Sequence, residues 1–366
     1  KDAIFYQRYN EISLKLELET KIEIPKVNGK PTKLKHYTLI KDKVFILYSQ
    51  YSQNKNNLYS DYINTAGKLS NIQQTIFSVP SVSEETAYNF KFNTSKDKSY
   101  FVAGVKSTYK EAKEEKDFFA TRVYDENLKV VNQHDLFIAS NTSSNKKDIF
   151  SIEDFCTDND GNIHLIYSSR TVDNYHDKTI INKLYLLSRN RIESKEYLIE
   201  LNTLNNRVNS YLISPLIKVT PNGDIFIIEN NKKRVGMAID DYHLVIGVYI
   251  LIVDGKTKKQ TVNKHTLYPV QLFDQYLGNG ITKTNGLPEQ TYPDKIIIEP
   301  DGAFKLIFEN SSMVGFGNIL IIDFSNKGDV LWHRVIYKSQ TDPGLQVAQI
   351  YTLGAVNTRF QSYSYI

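Results

Sequence analysis

Short apolar segments, each closed by a polar turn, follow one another along almost the whole chain. The clearest run lies between Ile296 and Gln340. IIIEPDGAFKLIFEN turns at Pro300-Asp301-Gly302, and a glycine-bearing loop leads into NILIIDFSNKGDVLWHRVIYKSQ, which turns at Asn326-Lys327-Gly328. Four strand-like segments in about 45 residues match one β-propeller blade. Near the start, Ile12, Leu14, Leu16 and Leu18 alternate with Ser13, Lys15, Glu17 and Glu19. Period two predicts a half-exposed strand there. Val27 to Pro31 (VNGKP) is a turn signal.

The same grammar recurs upstream and sets the organisation. Blade-sized units are predicted over residues 35–80, 85–140, 147–203, 208–268 and 294–340. Within each, turn signals fall in the same two places, including Asp158-Asn159-Asp160-Gly161 and Pro221-Asn222-Gly223. Such a unit is apolar on both faces and cannot stand alone, so units stack to bury those faces. The predicted fold class is all-β: a β-propeller of about six four-stranded blades, or seven if two units are merged, forming a single domain over residues 1–366. Residues 1–34 and 345–366 are expected to share a closing blade that joins the N- and C-terminal strands and hides the ring's open edges. A β-sandwich pair is disfavoured because the turns recur so regularly. Residues 269–293 interrupt the pattern as an inserted loop.

Composition narrows the function. Apolar residues at 41% and charged residues at 23% describe a folded chain rather than a disordered one. The net charge of +4 is too small and too evenly spread to predict nucleic-acid binding. Lys232-Lys233-Arg234 and the cluster from Lys256 to Lys259 read as solvated loop tips. Cys156 is the sole cysteine, so no intrachain disulfide forms, and its apolar strand context reads as a buried structural thiol. The longest apolar stretch, Leu244 to Val253, is too short to span a bilayer, so no transmembrane segment is predicted. A start at Lys1 is read as a mature form with its signal peptide removed.

Candidate chemistry is sparse. Asp158 to Asn162 (DNDGN) has two carboxylates near a glycine, but Gly161 is fourth and the twelfth position is Ser169, so the EF-hand pattern fails. Asx side chains bonding their own turn account for it better. The seven histidines, among them His164, His265 and His333, show no metal-ligand spacing, and no metal or cofactor is predicted. Adjacent acids such as Glu84-Glu85 point to opposite sides of a strand. Scattered acids, namely Glu153, Asp154, Glu229, Glu299 and Glu309, are the remaining candidates for glycosidase chemistry. Glu229 and Glu309 end equivalent segments (IIEN and IFEN), which reads as a structural rule such as an edge charge. No nucleophile elbow, phosphate loop or dinucleotide fingerprint is present, so no catalytic residue is assigned. The inserted loop carries VQLFDQYL with a partly helical spacing and a Gly278-Asn279-Gly280 stop. Its Phe273, Tyr276 and Leu277, with Tyr292, are the candidate partner-binding residues. A contact with a partner and a lid packed on the blades are equally favoured.

The PDG turn, the FEN strand end, ILIIDFSNKGDVLWHRVIYKSQ, DNDGNIHLIY and VIGVYILIVDGKTK together resemble a family of uncharacterised secreted, propeller-like proteins. These come from Gram-negative bacteria with type IX secretion. The likeness covers about half the chain, and Tyr337-Lys338-Ser339-Gln340 keeps only part of the family's basic, proline-bearing end. The resemblance implies a periplasmic protein at the outer membrane, and no catalytic residues can be carried over from it. The expected function is therefore a non-enzymatic interaction subunit that docks on or plugs an outer-membrane complex, a large β-barrel translocon. The alternative is a carbohydrate-active or glycan-binding propeller, with acids and aromatics converging at one end of a central tunnel.

Overall fold

A computed structural model describes residues 3–10, 12–41, 43–82, 84, 90–111, 114–138, 142–143, 146–173, 178–201, 215–235, 242–277, 286–288, 291, 293–312, 315–337 and 340–341. Among these the chain is all-β apart from one helix. It divides into two compact units, Lys1–Leu201 with Pro221–Gly223, and Asn202–Thr220 with Asp224–Ile366.

The first unit opens with a two-stranded sheet, β1 (Ala3–Tyr9) and β2 (Leu16–Glu23). Three antiparallel blades follow. The first is β3 (Lys33–Ile40), β4 (Lys43–Ser52), β5 (Lys55–Ile63) and β6 (Gln74–Pro80); the second is β7 (Lys91–Thr94), β8 (Phe101–Glu111), β9 (Glu114–Tyr124) and β10 (Val130–Ile138). In the third, the short β11 (Thr142–Ser143) precedes β12 (Lys146–Thr157), β13 (Ile163–Asp173), β14 (Lys178–Arg189) and β15 (Glu196–Leu201).

The second unit holds two more blades. The fourth is β16 (Leu216–Val219), β17 (Ile225–Val235), β18 (Tyr242–Val253) and β19 (Gln260–Leu267). Helix α1 (Val270–Leu277) and β20 (Leu287–Pro288), which pairs with β18, come next. The fifth blade is β21 (Pro293–Ile298), β22 (Phe304–Ser312), β23 (Gly315–Phe324) and β24 (Val330–Ile336), with β25 (Gln340–Thr341) beside β23. Each blade is a simple meander, the propeller-blade topology predicted from the sequence. The predicted C-terminal half of a closing blade, 345–366, lies outside the described residues.

Stacking explains the strand patterns. Outer strands such as β6 alternate between exposed and buried positions, while β4 and β5 are buried along most of their length. A central strand feeds two cores at once. Phe101, Ala103 and Phe118 of the second blade pack against Phe45, Leu47 and Phe77 of the first. Their neighbours Val102, Phe119 and Val123 point the other way, onto Phe155, Leu165 and Tyr167 of the third. Residues one apart on a strand face opposite sides, so each blade glues two neighbours. Full burial of such a side chain contributes about 1.5–3 kcal/mol. The N-terminal hairpin covers the other face of the first blade, with Ile22 and Val27 against Ile46, Tyr48, Tyr59 and Ile63. In the second unit, Phe226, Ile228 and Ile250 join Phe304, Leu306 and Phe324 in one core, where Phe304 stacks on Phe324 at 4.7 Å.

One local expectation changes. The alternation from Ile12 to Glu19 is not one strand. The Asn10 side chain accepts the backbone N–H groups of Ile12 (3.1 Å) and Ser13 (2.9 Å) and forms a turn. Ile12 and Leu14 are left 90% and 75% exposed, and pairing starts only at Leu16. An asparagine side chain that bonds its own backbone outcompetes a marginal alternation. In the charged run around Lys110, β8 and β9 continue as a hairpin to the pair Glu111 and Glu114.

Candidate functional site

A meander has two ends. At one, the first and second strands and the third and fourth strands join by tight turns. At the other lie the hairpin between the second and third strands and the passage to the next blade.

The tight-turn end is built for stability. Asp125, Asn64, Asn190 and Asp254 each turn a side-chain oxygen back onto two backbone N–H groups two to four residues on. In the first turns of the third, fourth and fifth blades, Gly161, Gly223 and Gly302 take positive φ, which side chains disfavour. The third blade carries the densest network. Asp158 Oδ1 accepts N–H groups from Asp160 (3.0 Å) and Asn162 (2.9 Å); Oδ2 accepts from Asn162 Nδ2 (2.8 Å) and faces His164 Nε2 at 3.0 Å. His164 Nδ1 lies 2.9 Å from Ser188 Oγ on the adjacent strand. Burial pushes the Asp158 carboxyl up, but hydrogen bonds from His164 and Asn162 outweigh it and hold the group well below the usual carboxylate range. An Asp-His-Ser chain suggests nucleophilic catalysis. Here His164 is 1% and Ser188 2% exposed, so the chain is a structural tie. Both Asp158 oxygens are occupied by the turn, which supports the Asx reading over a calcium loop.

The loop end collects buried polar side chains on the second strands: Ser49 and Gln50 on β4, Ser107 and Thr108 on β8, Ser168 on β13, and Glu229, Asn230 and Asn231 on β17. In the first three blades, local partners account for them. Gln50 Nε2 donates to the carbonyl of Val27 (3.3 Å), Thr108 Oγ1 to Asp117 (2.6 Å) and Ser168 Oγ to Glu153 (2.5 Å).

The fourth blade differs. Glu229 lies directly opposite Tyr249, and Tyr249 opposite His265, across β17, β18 and β19. Directly opposed residues share a face, so these three form one row. Tyr249 stacks on His265, with centroids 4.8 Å apart and planes 19° from parallel. Asn231, two residues beyond Glu229, hydrogen-bonds His265 Nε2 through its amide. The register shifts between Asn231 and Lys232, and such a bulge re-aims side chains. Gly247 lets β19 approach: a Cβ there would sit 2.3 Å from the Thr266 carbonyl oxygen. On the opposite face, Asn230 Nδ2 donates to the carbonyl of Thr291 (2.7 Å), anchoring the chain after the helix.

Glu229 is 6% and Tyr249 7% exposed. Burial raises the Tyr249 hydroxyl, and the nearby Glu229 charge adds to the effect. Burial lowers His265, favouring its neutral form. A carboxyl, a phenol, an imidazole and an amide can together hold a hydroxylic ligand and move a proton. Glu229 therefore does not fit the edge-charge reading: its side chain is buried, opposite Tyr249 of β18. The equivalent Glu309 lies opposite Ile319 in β22, and its side chain is outside the described residues.

The other candidates are dispersed. Phe273 is buried beside Leu272 in the core of the second unit, and α1 contacts β23 and β24. Tyr276 and Leu277 belong to α1, but their side chains, and all of Tyr292, lie outside the described residues. Glu153 bonds Ser168, and Glu299 pairs with Lys305 at 2.7 Å. Tyr249, His265 and Asn231 were not singled out from the sequence as candidate site residues. Counting outward from the turn at Asp254 to Lys259 brings Tyr249 opposite Lys264; a one-residue register shift between Ile252 and Val253 moves it to His265, so no signal in the sequence pairs the two.

No family model matches the chain, and no curated protein matches it. Solved structures do resemble it. The α-L-arabinofuranosidase Arb93A from Fusarium graminearum is 9% identical with a TM-score of 0.41, covering 86% of this chain and 95% of that one. The α-L-arabinanase of Penicillium chrysogenum is 8% identical with a TM-score of 0.38, covering 86% and 96%. The Synechocystis apocarotenoid oxygenase is 8% identical with a TM-score of 0.40, covering 84% of this chain and 59% of its own length. At these identities the likeness concerns fold.

The expectation of a non-enzymatic subunit that docks on or plugs an outer-membrane complex is corrected by these findings. The solved structures named above are an arabinofuranosidase, an arabinanase and an oxygenase, and their likeness to this chain is one of fold. The fourth blade also buries a carboxylic acid among proton-handling groups, an arrangement that plugging does not require.

Proposed function

We propose that the chain is a carbohydrate-active propeller that engages sugar at the loop end of its fourth blade, with Glu229 as the working acid. One observation carries this reading: Glu229, Tyr249 and His265 stand in one row, with Asn231 on the imidazole. Sugar hydroxyls need donors and acceptors at fixed positions, and tyrosine and amide groups supply both. Glycoside cleavage needs a carboxyl that can give or take a proton, and burial is how proteins tune one for that task. A secreted or periplasmic location belongs to the same proposal and is supported by the family resemblance; cell fractionation checks it.

The test is a panel of oligosaccharides, arabinobiose among them, assayed by calorimetry and by release of reducing ends. The wild type is expected to bind and cleave at least one member. Glu229→Gln should lower turnover by about 100-fold or more while keeping the fold. A wild type that neither binds nor cleaves any sugar, or a Glu229→Gln variant with unchanged turnover, overturns the reading.

A further inference from the structure

We propose that His265 is a ligand-binding residue of this site and that Asn231 is its positioning residue, fixing which imidazole nitrogen carries the proton. The inference rests on the carbohydrate reading and deepens it.

His265 sits on β19, the outermost strand of the fourth blade, where it is half-buried. Two contacts hold its ring. One face stacks on Tyr249 at 4.8 Å, which sets the ring plane. The Asn231 amide nitrogen hydrogen-bonds Nε2, which sets the rotation within that plane. An amide N–H can only donate, so Nε2 accepts, and in the neutral imidazole the proton resides on Nδ1. Burial lowers the pKa of His265, in keeping with a neutral ring.

The consequence is a fixed donor. Nδ1–H is turned away from Asn231 and serves a ligand oxygen. Its complement is a hydroxyl or ring oxygen of a sugar, an acceptor that carries no charge. Three features of the backbone serve this placement. The bulge after Asn231 aims the amide, Gly247 lets β19 close on β18, and the pairing of Tyr249 with His265 lines up the rings.

The tautomer is read directly by nitrogen NMR on the full chain carrying 15N-labelled histidine, first without ligand. Wild-type His265 is expected in the Nδ1–H form. Asn231→Asp replaces the donor with an acceptor and should move the proton to Nε2. Asn231→Leu should leave a mixture. Affinity for the oligosaccharide that binds best in the panel should fall about tenfold in Asn231→Asp, the scale of one lost hydrogen bond. Circular dichroism checks that both variants fold. A wild-type His265 in the Nε2–H form overturns the assignment, and so does an Asn231→Asp variant with unchanged tautomer or affinity. If no sugar binds the wild type, the carbohydrate reading fails, while the ligand-free spectrum still decides the role of Asn231.

Discussion

At the residue scale, histidines govern how this protein meets acid. His36 stacks on Phe92 at 4.8 Å and 9°, and burial pushes its pKa down to about 4. Its folded value lies below the unfolded value of 6.5, so the unfolded chain binds the proton first. The stability it contributes is complete above pH 6.5 and is lost as pH falls toward 4. By pH 4 the loss is on the order of 3 kcal/mol. His36→Phe keeps the stack and removes the titration, so urea denaturation at stepped pH should show a shallower slope between 6.5 and 4. His134 and His265 are lowered by burial as well and keep part of that slope. Asp158 acts in a different window. Its carboxyl is held below the ordinary aspartate value, so its contribution persists above that value and disappears at stronger acid. His164→Leu leaves Asp158 and Ser188 each short of a partner in a buried site. A loss of about 3 kcal/mol at neutral pH is expected in chemical denaturation. A loss under 1 kcal/mol contradicts the structural role given to this chain.

At the element scale, strand pairing decides what meets what. Blades stack because each central strand is apolar on both sides, and the loop end of β17 breaks that rule with Glu229, Asn230 and Asn231. Gly247 is the point where the fourth blade is most sensitive. A Cβ there would lie 2.3 Å from the Thr266 oxygen and 2.9 Å from the Leu267 Cα, both backbone atoms of the paired strand. Gly247→Ala must push β19 away from β18 and is expected to cost about 2–3 kcal/mol. Because His265 lies two residues from Leu267, the same variant should also weaken ligand binding. Thermal unfolding and the oligosaccharide titration read the two effects separately.

At the scale of the whole molecule, the blade grammar was legible from residues alone. The turns at Gly161, Gly223 and Gly302 are turns, and the predicted blades are four-stranded meanders. Local chemistry suffices there, since a glycine at positive φ and an Asx side chain act over a few residues. The inserted segment is helical where its spacing suggested, over Val270–Leu277. What the chain alone could not separate was Glu229 as an edge charge from Glu229 as a buried acid. Its burial depends on elements that lie elsewhere along the chain, among them β18, where Tyr249 lies opposite it. The partners Tyr249 and His265 come from two further segments, and the slip at Asn231 moves the register by a residue, which no periodicity reports. The run of apolar segments and turns therefore determined an all-β chain of blades by itself. Only the tertiary structure decided which polar residues share a face, because that is set by register between strands and by burial beneath neighbouring elements.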